Sequence, residues 1–245
     1  MKIETWNCHF GFDMKKVEYI SKHDADLLLI QECTEDDLSK LNNFWENSLW
    51  YGDYIDGKYG IGLFSNRYEI TKIEKHKREY RYFVPYEIKT EDDNFILFSV
   101  WTKNCDLDKK KKEYTEQTYP ALNDSDYFDL LNGSVILMGD FNSNNYFEKD
   151  YNRKKVPSHK DIINLLKRFN IKSCYHVFNN CDDGKEKDPT LLWLNNSEQK
   201  FHIDYCFASS DFVIKNVTVG SLEEWEKAKL SDHCPMIVEL EREGD

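Results

Sequence analysis

The stretch LMGDFNSN, residues 137–144, contains the clearest candidates for chemistry, because an apolar run ends there in an acid and an amide. Asp140 and Asn142 stand two positions apart, so on an extended strand both side chains would face the same side. Other apolar runs also begin or end next to polar groups, at Asn7, Glu32, Asp204, Asp232 and His233. Side chains at strand ends can be presented to a common ligand.

These residue types together favour a metal-assisted reaction of a phosphate. Several carboxylates at one point would repel one another unless a cation lay among them. Oxygen ligands suit Mg²⁺ (or Mn²⁺), and Mg²⁺ keeps several waters and leaves room for a phosphate. A histidine beside an acid is held in one tautomer and can exchange a proton with a reacting group. Taken singly, each residue also fits a turn, a helix cap or a solvated position, so the set carries the hypothesis.

The elements that would position these residues are read from apolar periodicity. Helices are predicted at residues 13–22, 35–42, 113–131 (interrupted at Pro120) and 160–169. Strands are predicted at residues 2–6, 26–31, 59–65, 68–75, 80–89, 94–103, 134–139, 174–178, 190–194, 201–208, 212–219 and 234–240. Alternating strands and helices predict a mixed α/β sandwich with sheets inside and helices outside.

Composition limits the class of protein. With 245 residues, 40% of them hydrophobic, and no linker-like stretch, the chain is predicted to be one domain, 1–245. The sequence shows no signal peptide and no apolar run that could span a bilayer. Its seven cysteines are odd in number, and no two of them form a C-x-x-C pair, so we expect a reduced, cytoplasmic protein. The net charge of -12 counts against tight, sequence-independent binding of nucleic acid.

Five motifs in order, TWNC (5–8), LLLIQEC (27–33), LMGDFNSN (137–144), HIDYCF (202–207) and LSDHCP (230–235), cover nearly the whole chain. This set resembles the endonuclease/exonuclease/phosphatase superfamily, which includes deoxyribonuclease I, exonuclease III and abasic-site endonucleases. The resemblance implies a four-layer α/β/β/α sandwich and divalent-metal-dependent cleavage of a phosphate ester.

The resemblance also implies roles for the polar set. Asp140 would orient or deprotonate the attacking water, and Asn142 would hold the phosphate or that water. His233, with its ring fixed by Asp204, would contact the scissile phosphate. The implied metal ligands are Glu32, Asn7 and Asp232.

One position departs from the family pattern. The strand before the long helix usually presents a histidine or tyrosine to the phosphate, but here LFSVWTKN places Trp101 there. Trp101 either stacks on a substrate ring or packs in the core, in which case Lys103 is a candidate for the phosphate contact. His202, two residues before Asp204, and His176, polar amid apolar neighbours, are further candidate substrate-binding groups. The alternative for both is a satisfied core histidine.

Three functions remain open from the sequence. The first is a nuclease acting on DNA or RNA, supported by the polar set and by basic segments at 75–81 and 153–155. The second is a phosphatase or phosphodiesterase for a nucleotide, lipid headgroup or inositol phosphate, which the acidic net charge favours. The third is a catalytically inactive scaffold, for which Trp101 is the only support.

Overall fold

Two six-stranded sheets form the centre of this protein, whose computed structural model describes residues 1–41, 43–55, 57–91, 93–193 and 198–243. Numbered along the chain, the first sheet has the spatial order β13 (Phe212–Val219), β14 (Met236–Arg242), β1 (Lys2–Asn7), β2 (Leu27–Thr34), β4 (Tyr59–Ser65) and β3 (Asn47–Tyr51). The second has the order β5 (Glu69–Lys72), β6 (Phe83–Lys89), β7 (Asn94–Trp101), β8 (Val135–Asp140), β12 (Asp204–Ser209) and β9 (Ile171–Ser173). A separate ribbon pairs β10 (Leu191–Leu192) with β11 (Lys200–Phe201).

Helices connect the strands. They are α1 (Met14–Ile20), α2 (Glu35–Leu41), α3 (Thr115–Leu122), α4 (Phe128–Leu131), α5 (Glu148–Lys154), α6 (His159–Arg168), α7 (Cys174–Asn179) and α8 (Leu222–Ala228). Within the part of the chain that the structure describes, no helix is long and apolar enough to cross a lipid bilayer.

Three apolar clusters hold the layers together. Between the sheets, inward-facing side chains of both, such as Leu29 and Met138, are fully buried against one another. On the outer face of the second sheet, α6 buries Ile162 against side chains such as Phe207, and on the outer face of the first, α1 buries Val17 against Trp6. Burying a large apolar side chain contributes about 1.5–3 kcal/mol. The predicted four-layer α/β/β/α sandwich is confirmed.

Strand direction brings the polar strand ends together. β1 runs parallel to β2, and β7 runs parallel to β8, so each pair ends at one edge of its sheet. Asn7 and Glu32 follow the apolar parts of β1 and β2, and Asp140 ends β8. β12 runs antiparallel to β8 and begins with Asp204 directly opposite Asp140.

Several predictions for single elements were wrong. Residues 174–178 form the helix α7, because Cys174 and Tyr175 are buried together whereas Val177 and Phe178 are exposed, a helical and not an alternating pattern. Pro120 lies inside α3, and the interruption comes after Leu122. Of the predicted strand 190–194, only Leu191–Leu192 is a strand, and residue 194 lies outside the described residues, as does residue 42 of the predicted helix 35–42. β3, β9, α5 and α8 were not predicted.

Candidate active site

Asp140 lies at the centre of the polar strand ends and is fully buried. The preceding Gly139 has φ 143°, and a Cβ there would lie 2.0 Å from the carbonyl oxygen of Val100. Only glycine therefore lets β8 approach β7 this closely just before the acid. The Asp140 carboxylate accepts hydrogen bonds from Asn7 Nδ2 (3.0 Å) and Asn142 Nδ2 (2.7 Å). Asn142 itself has a left-handed backbone (φ 48°), so its side chain reaches Asp140 through this turn and not through the alternation of an extended strand.

Asp204 and His233 form a buried pair beside Asp140. His233 Nδ1 lies 2.8 Å from Asp204 Oδ2, and the carbonyl of His233 accepts a hydrogen bond from Trp6 Nε1 at 2.9 Å. Burial alone would lower the pKa of His233, but the charge of Asp204 and the bond to it, with Asp140 nearby, raise that pKa to about 10. The imidazole is thus held in one orientation as a positive charge facing the acids.

Ligand atoms of Asp140, Asp204 and His233 all lie within 4.8 Å of one another. Burial and the neighbouring charge of Asp204 raise the pKa of Asp140 to about 7. The other oxygen of Asp204, Oδ1, is buried without a hydrogen-bond partner among the described residues. The cluster therefore has one buried acceptor that lacks a donor, which a bound water or ligand could supply.

Glu32 stands at a β-bulge, where the pairing of β2 with β4 shifts register between Gln31 and Cys33. Its φ of 63° is a left-handed conformation that costs free energy in a non-glycine residue and turns its side chain toward β1. Glu32 Oε1 accepts from Asn7 Nδ2 at 3.1 Å, and Oε2 accepts from the Phe10 amide at 3.2 Å.

Asp232 reaches the same edge through His9. His9 Nδ1 lies 2.9 Å from Asp232 Oδ1, and the His9 amide donates to Asn7 Oδ1 at 3.1 Å. Burial alone would raise the pKa of Asp232, but the contact with His9 and the charges of His233 and His9 together lower it. The predicted residues Asn7, Glu32, Asp140, Asn142, Asp204, Asp232 and His233 are therefore joined in one network.

This network fits a hard divalent cation on the Glu32 side. Glu32 and Asp232, which are partly exposed, and the buried Asn7 offer oxygen atoms, the donor type that Mg²⁺ and Mn²⁺ prefer. The Asp204–His233 side fits a cation less well, because the imidazole is already bonded to Asp204 and its raised pKa keeps it positively charged.

Trp101, His202 and His176 lie outside this network. Trp101 is only 3% exposed and packs between the sheets on Tyr82, with ring centroids 4.7 Å apart, so it occupies the core and does not offer a free face to a substrate. His202 is 4% exposed and its Nδ1 lies 2.7 Å from the carbonyl of Asp188. His176 lies on α7, 2.9 Å from Glu186. His176 thus fits the alternative of a satisfied histidine, whereas His202 is a core residue whose Nε2 has no hydrogen-bond partner among the described residues.

Two features of this edge were not predicted. A cavity of about 330 Å³ adjoins Asn142 and is lined by residues that include Tyr114, Tyr151 and Phe201. The Lys16 ammonium is buried behind the site against backbone carbonyls. The cavity brings together segments that are distant in the sequence, and the spacing of residues along the chain does not reveal it. Lys16 is one of several lysines and lies in an ordinary helical pattern.

The four-layer sandwich, with its acid–histidine cluster at the strand ends, is of the deoxyribonuclease I-like class. The chain belongs to the Endonuclease/Exonuclease/phosphatase family, whose family model matches residues 5–233. No curated protein matches the sequence.

Solved structures share the fold along nearly the full chain. A 3′ phosphatase, NExo, from Neisseria, solved with product DNA hairpin, has 18% identity, a TM-score of 0.68 and coverage of 98% of this chain and 99% of its own. NExo from Neisseria meningitidis, a 3′-5′ exonuclease, has 18% identity, a TM-score of 0.67 and coverage of 98% of this chain and 100% of its own. An AP endonuclease from Archaeoglobus fulgidus has 14% identity, a TM-score of 0.68 and coverage of 98% of this chain and 99% of its own.

Proposed function

We propose that this protein is a divalent-metal-dependent hydrolase of phosphate esters, acting at Asp140. The single observation that carries the proposal is the position of Asp140: it is fully buried, accepts hydrogen bonds from Asn7 and Asn142, and lies beside the Asp204–His233 pair. A buried carboxylate held by amides and faced by a charged imidazole is suited to guide water toward phosphorus.

Each residue has a defined task in this proposal. Asp140 orients a water molecule and accepts its proton as the water oxygen forms a bond to phosphorus and the bond to the leaving oxygen breaks. The departing alkoxide takes a proton from solvent to become the alcohol. Asn142 Nδ2 fixes the Asp140 carboxylate at 2.7 Å. His233, held by Asp204 at 2.8 Å, donates to a non-bridging phosphate oxygen and offsets the charge that develops there.

The metal belongs to the opposite side of the pocket. Glu32, Asn7 and Asp232 would hold it, and when bound it supplies charge neutralisation of the phosphate. The amides of His9 and Phe10 restrain Asn7 Oδ1 and Glu32 Oε2.

Nucleic acid is the first candidate substrate. The structural neighbours described as a 3′ phosphatase with product DNA, an exonuclease and an AP endonuclease match this chain over 98% of its length, which supports a phosphate ester of DNA as the substrate. The basic segment at 75–81 gives less support than its composition suggests, because Lys77 is paired with Asp124 (2.6 Å) and Asp126 (2.7 Å), and Arg81 with Asp53 (2.7 Å).

A small phosphate ester is the second candidate. The cavity of about 330 Å³ beside Asn142 is large enough to hold a ring, and the net charge of -12 disfavours a long polyanion. Two acids line the cavity, and Asp150 is paired with Arg153 at 3.2 Å. Lys154, which also lines the cavity, is neutralised by Glu113 at 2.9 Å.

The test compares wild type with Asp140→Asn in Mg²⁺ on single- and double-stranded DNA and RNA and on a panel of small phosphate esters. We expect wild-type hydrolysis of at least one class and a loss of about 10²-fold or more in Asp140→Asn. Asp36→Asn, an exposed acid on α2, is the matched control and should retain wild-type rates. Equal rates for wild type and Asp140→Asn, or no hydrolysis of any ester by wild type, would refute the proposal.

A further inference from the structure

The loop of residues 8–11 joins all three candidate metal ligands. Its amides bond to Asn7 and Glu32: His9 N–H donates to Asn7 Oδ1 (3.1 Å), Phe10 N–H to Glu32 Oε2 (3.2 Å) and Gly11 N–H to the Glu32 carbonyl (2.8 Å). The His9 ring bonds to Asp232 at 2.9 Å. The direction of these oxygens therefore depends on the shape of one short loop.

This loop is strained. His9, Phe10 and Gly11 follow one another with φ values of 51°, 63° and 107°, all left-handed. Consecutive residues of this kind turn their amides to one side, and the two non-glycine residues each cost free energy in this conformation. Something else in the fold must hold the loop in this shape.

The Lys16 side chain supplies that support from behind. Lys16 lies in the first turn of α1 and is only 8% exposed. Its ammonium donates to the carbonyl of Cys8, to that of His9 at 3.1 Å and to that of Gly11 at 2.7 Å. An ammonium has three donors, so the three carbonyls use its full capacity. Among the described residues, no carboxylate lies within ion-pair distance of it.

We propose that Lys16 is a positioning residue for the metal site: its ammonium fixes the carbonyls of the 8–11 loop, and the loop amides and the His9 ring thereby hold Glu32, Asn7 and Asp232 in place. This inference rests on the metal site of the proposed function. Lys16 touches neither metal nor substrate, so its loss should weaken metal binding before it affects chemistry at saturating metal. Outer partners of metal ligands commonly contribute 10- to 100-fold in affinity.

The test measures Mn²⁺ binding by calorimetry in wild type, Lys16→Met and Lys15→Met. Methionine is similar in length and uncharged, and Lys15 is the exposed neighbour in the same helical turn. We expect about a 10- to 100-fold weaker Mn²⁺ Kd for Lys16→Met and a change of less than about twofold for Lys15→Met. Circular dichroism establishes that each variant is folded.

Gly11→Ala provides a second perturbation of the same loop. The nearest atom to an added Cβ is Asp37 Oδ2 at 3.8 Å, so alanine fits the space and acts only through the unfavourable φ of 107°. We expect weaker Mn²⁺ binding here as well, and this variant decides the question if Lys16→Met does not fold. A folded Lys16→Met, or failing that Gly11→Ala, with wild-type Mn²⁺ affinity would overturn the inference.

Metal binding and hydrolysis separate this inference from the proposed function. Wild type that binds Mn²⁺ in a Lys16-dependent manner but hydrolyses no ester refutes the proposed function and supports the role of Lys16. If wild type hydrolyses an ester and its Mn²⁺ affinity does not depend on Lys16, the proposed function is supported and the role of Lys16 is refuted. If wild type shows no Mn²⁺ binding that depends on Glu32, as judged with Glu32→Gln, the proposed role of Lys16 is refuted directly.

Discussion

Acid should destabilise this fold through His159, a buried histidine that contacts Ser143 in the segment after Asp140. His159 is 1% exposed, its Nδ1 lies 2.9 Å from Ser143 Oγ, and its Nε2 has no hydrogen-bond partner among the described residues. Burial lowers its pKa from 6.5 to about 3. Because the folded-state pKa lies below the unfolded-state pKa, the unfolded chain takes up a proton first as the pH falls.

The size of the effect follows from that difference in pKa. The stability that depends on neutral His159 is fully present above pH 6.5 and is lost as the pH falls toward 3. Each pH unit in this window costs about 1.4 kcal/mol, so acidification from pH 7 to pH 4.5 removes about 2.7 kcal/mol through this residue alone. That is a large share of the 5–15 kcal/mol typical of natural domains.

Urea unfolding of wild type and His159→Phe at pH 7 and pH 4.5 tests this. Phenylalanine keeps the ring packing against Tyr205 (centroids 4.8 Å apart) but leaves Ser143 Oγ unpaired, so at pH 7 the variant should be less stable by about 1–3 kcal/mol. At pH 4.5 that deficit should vanish or reverse, because only wild type carries the His159 penalty. The other histidines titrate in both proteins and cancel. Equal losses of stability on acidification in the two proteins would refute the reasoning.

Two substitutions test the placement of the site by the second sheet. Gly139→Ala should destabilise the fold by about 3 kcal/mol or more and lower hydrolysis, because the new Cβ meets the Val100 carbonyl at 2.0 Å; a loss below about 1 kcal/mol in urea unfolding would contradict this. Trp101→Phe should lower the free energy of unfolding by about 1–3 kcal/mol through a core cavity but change kcat/KM less than twofold, and a selective rise in KM would instead restore a substrate contact for Trp101.

Periodicity predicted the layers because most strands here are long and apolar. The segment before Asp140, 134–139, was predicted within one residue of β8 (Val135–Asp140), since a buried central strand needs a continuous apolar run. The short elements failed for the converse reason. CYHVF has too few residues to distinguish a strand from one turn and a half of helix, and its conformation is decided by how Cys174 and Tyr175 pack between the layers.

The candidate site residues were predicted from their types, but the residues that support them from behind were not. Glu32, Asp140 and His233 are recognisable because acids and a histidine beside apolar runs are unusual, and the structure joins them in one network. Neither Lys16 nor His159 stands out, because a lysine in an amphipathic helix and a histidine after a serine cap are ordinary sequence features. What makes them special is burial, which only tertiary contacts decide.

The strained residues explain why local rules fail where the chemistry is proposed. His9, Phe10, Glu32 and Asn142 all have left-handed φ values, although none is glycine. At Glu32 and Asn142, a sequence optimised for stability alone would place glycine, but glycine has no carboxylate for a cation and no side-chain amide for Asp140. The fold keeps the functional side chain and offsets the strain with hydrogen bonds, such as those of the Phe10 amide to Glu32 and the Asn142 amide to Asp140. Such strain requires support from surrounding contacts, so the residues that provide these contacts are where further functional positions should be sought.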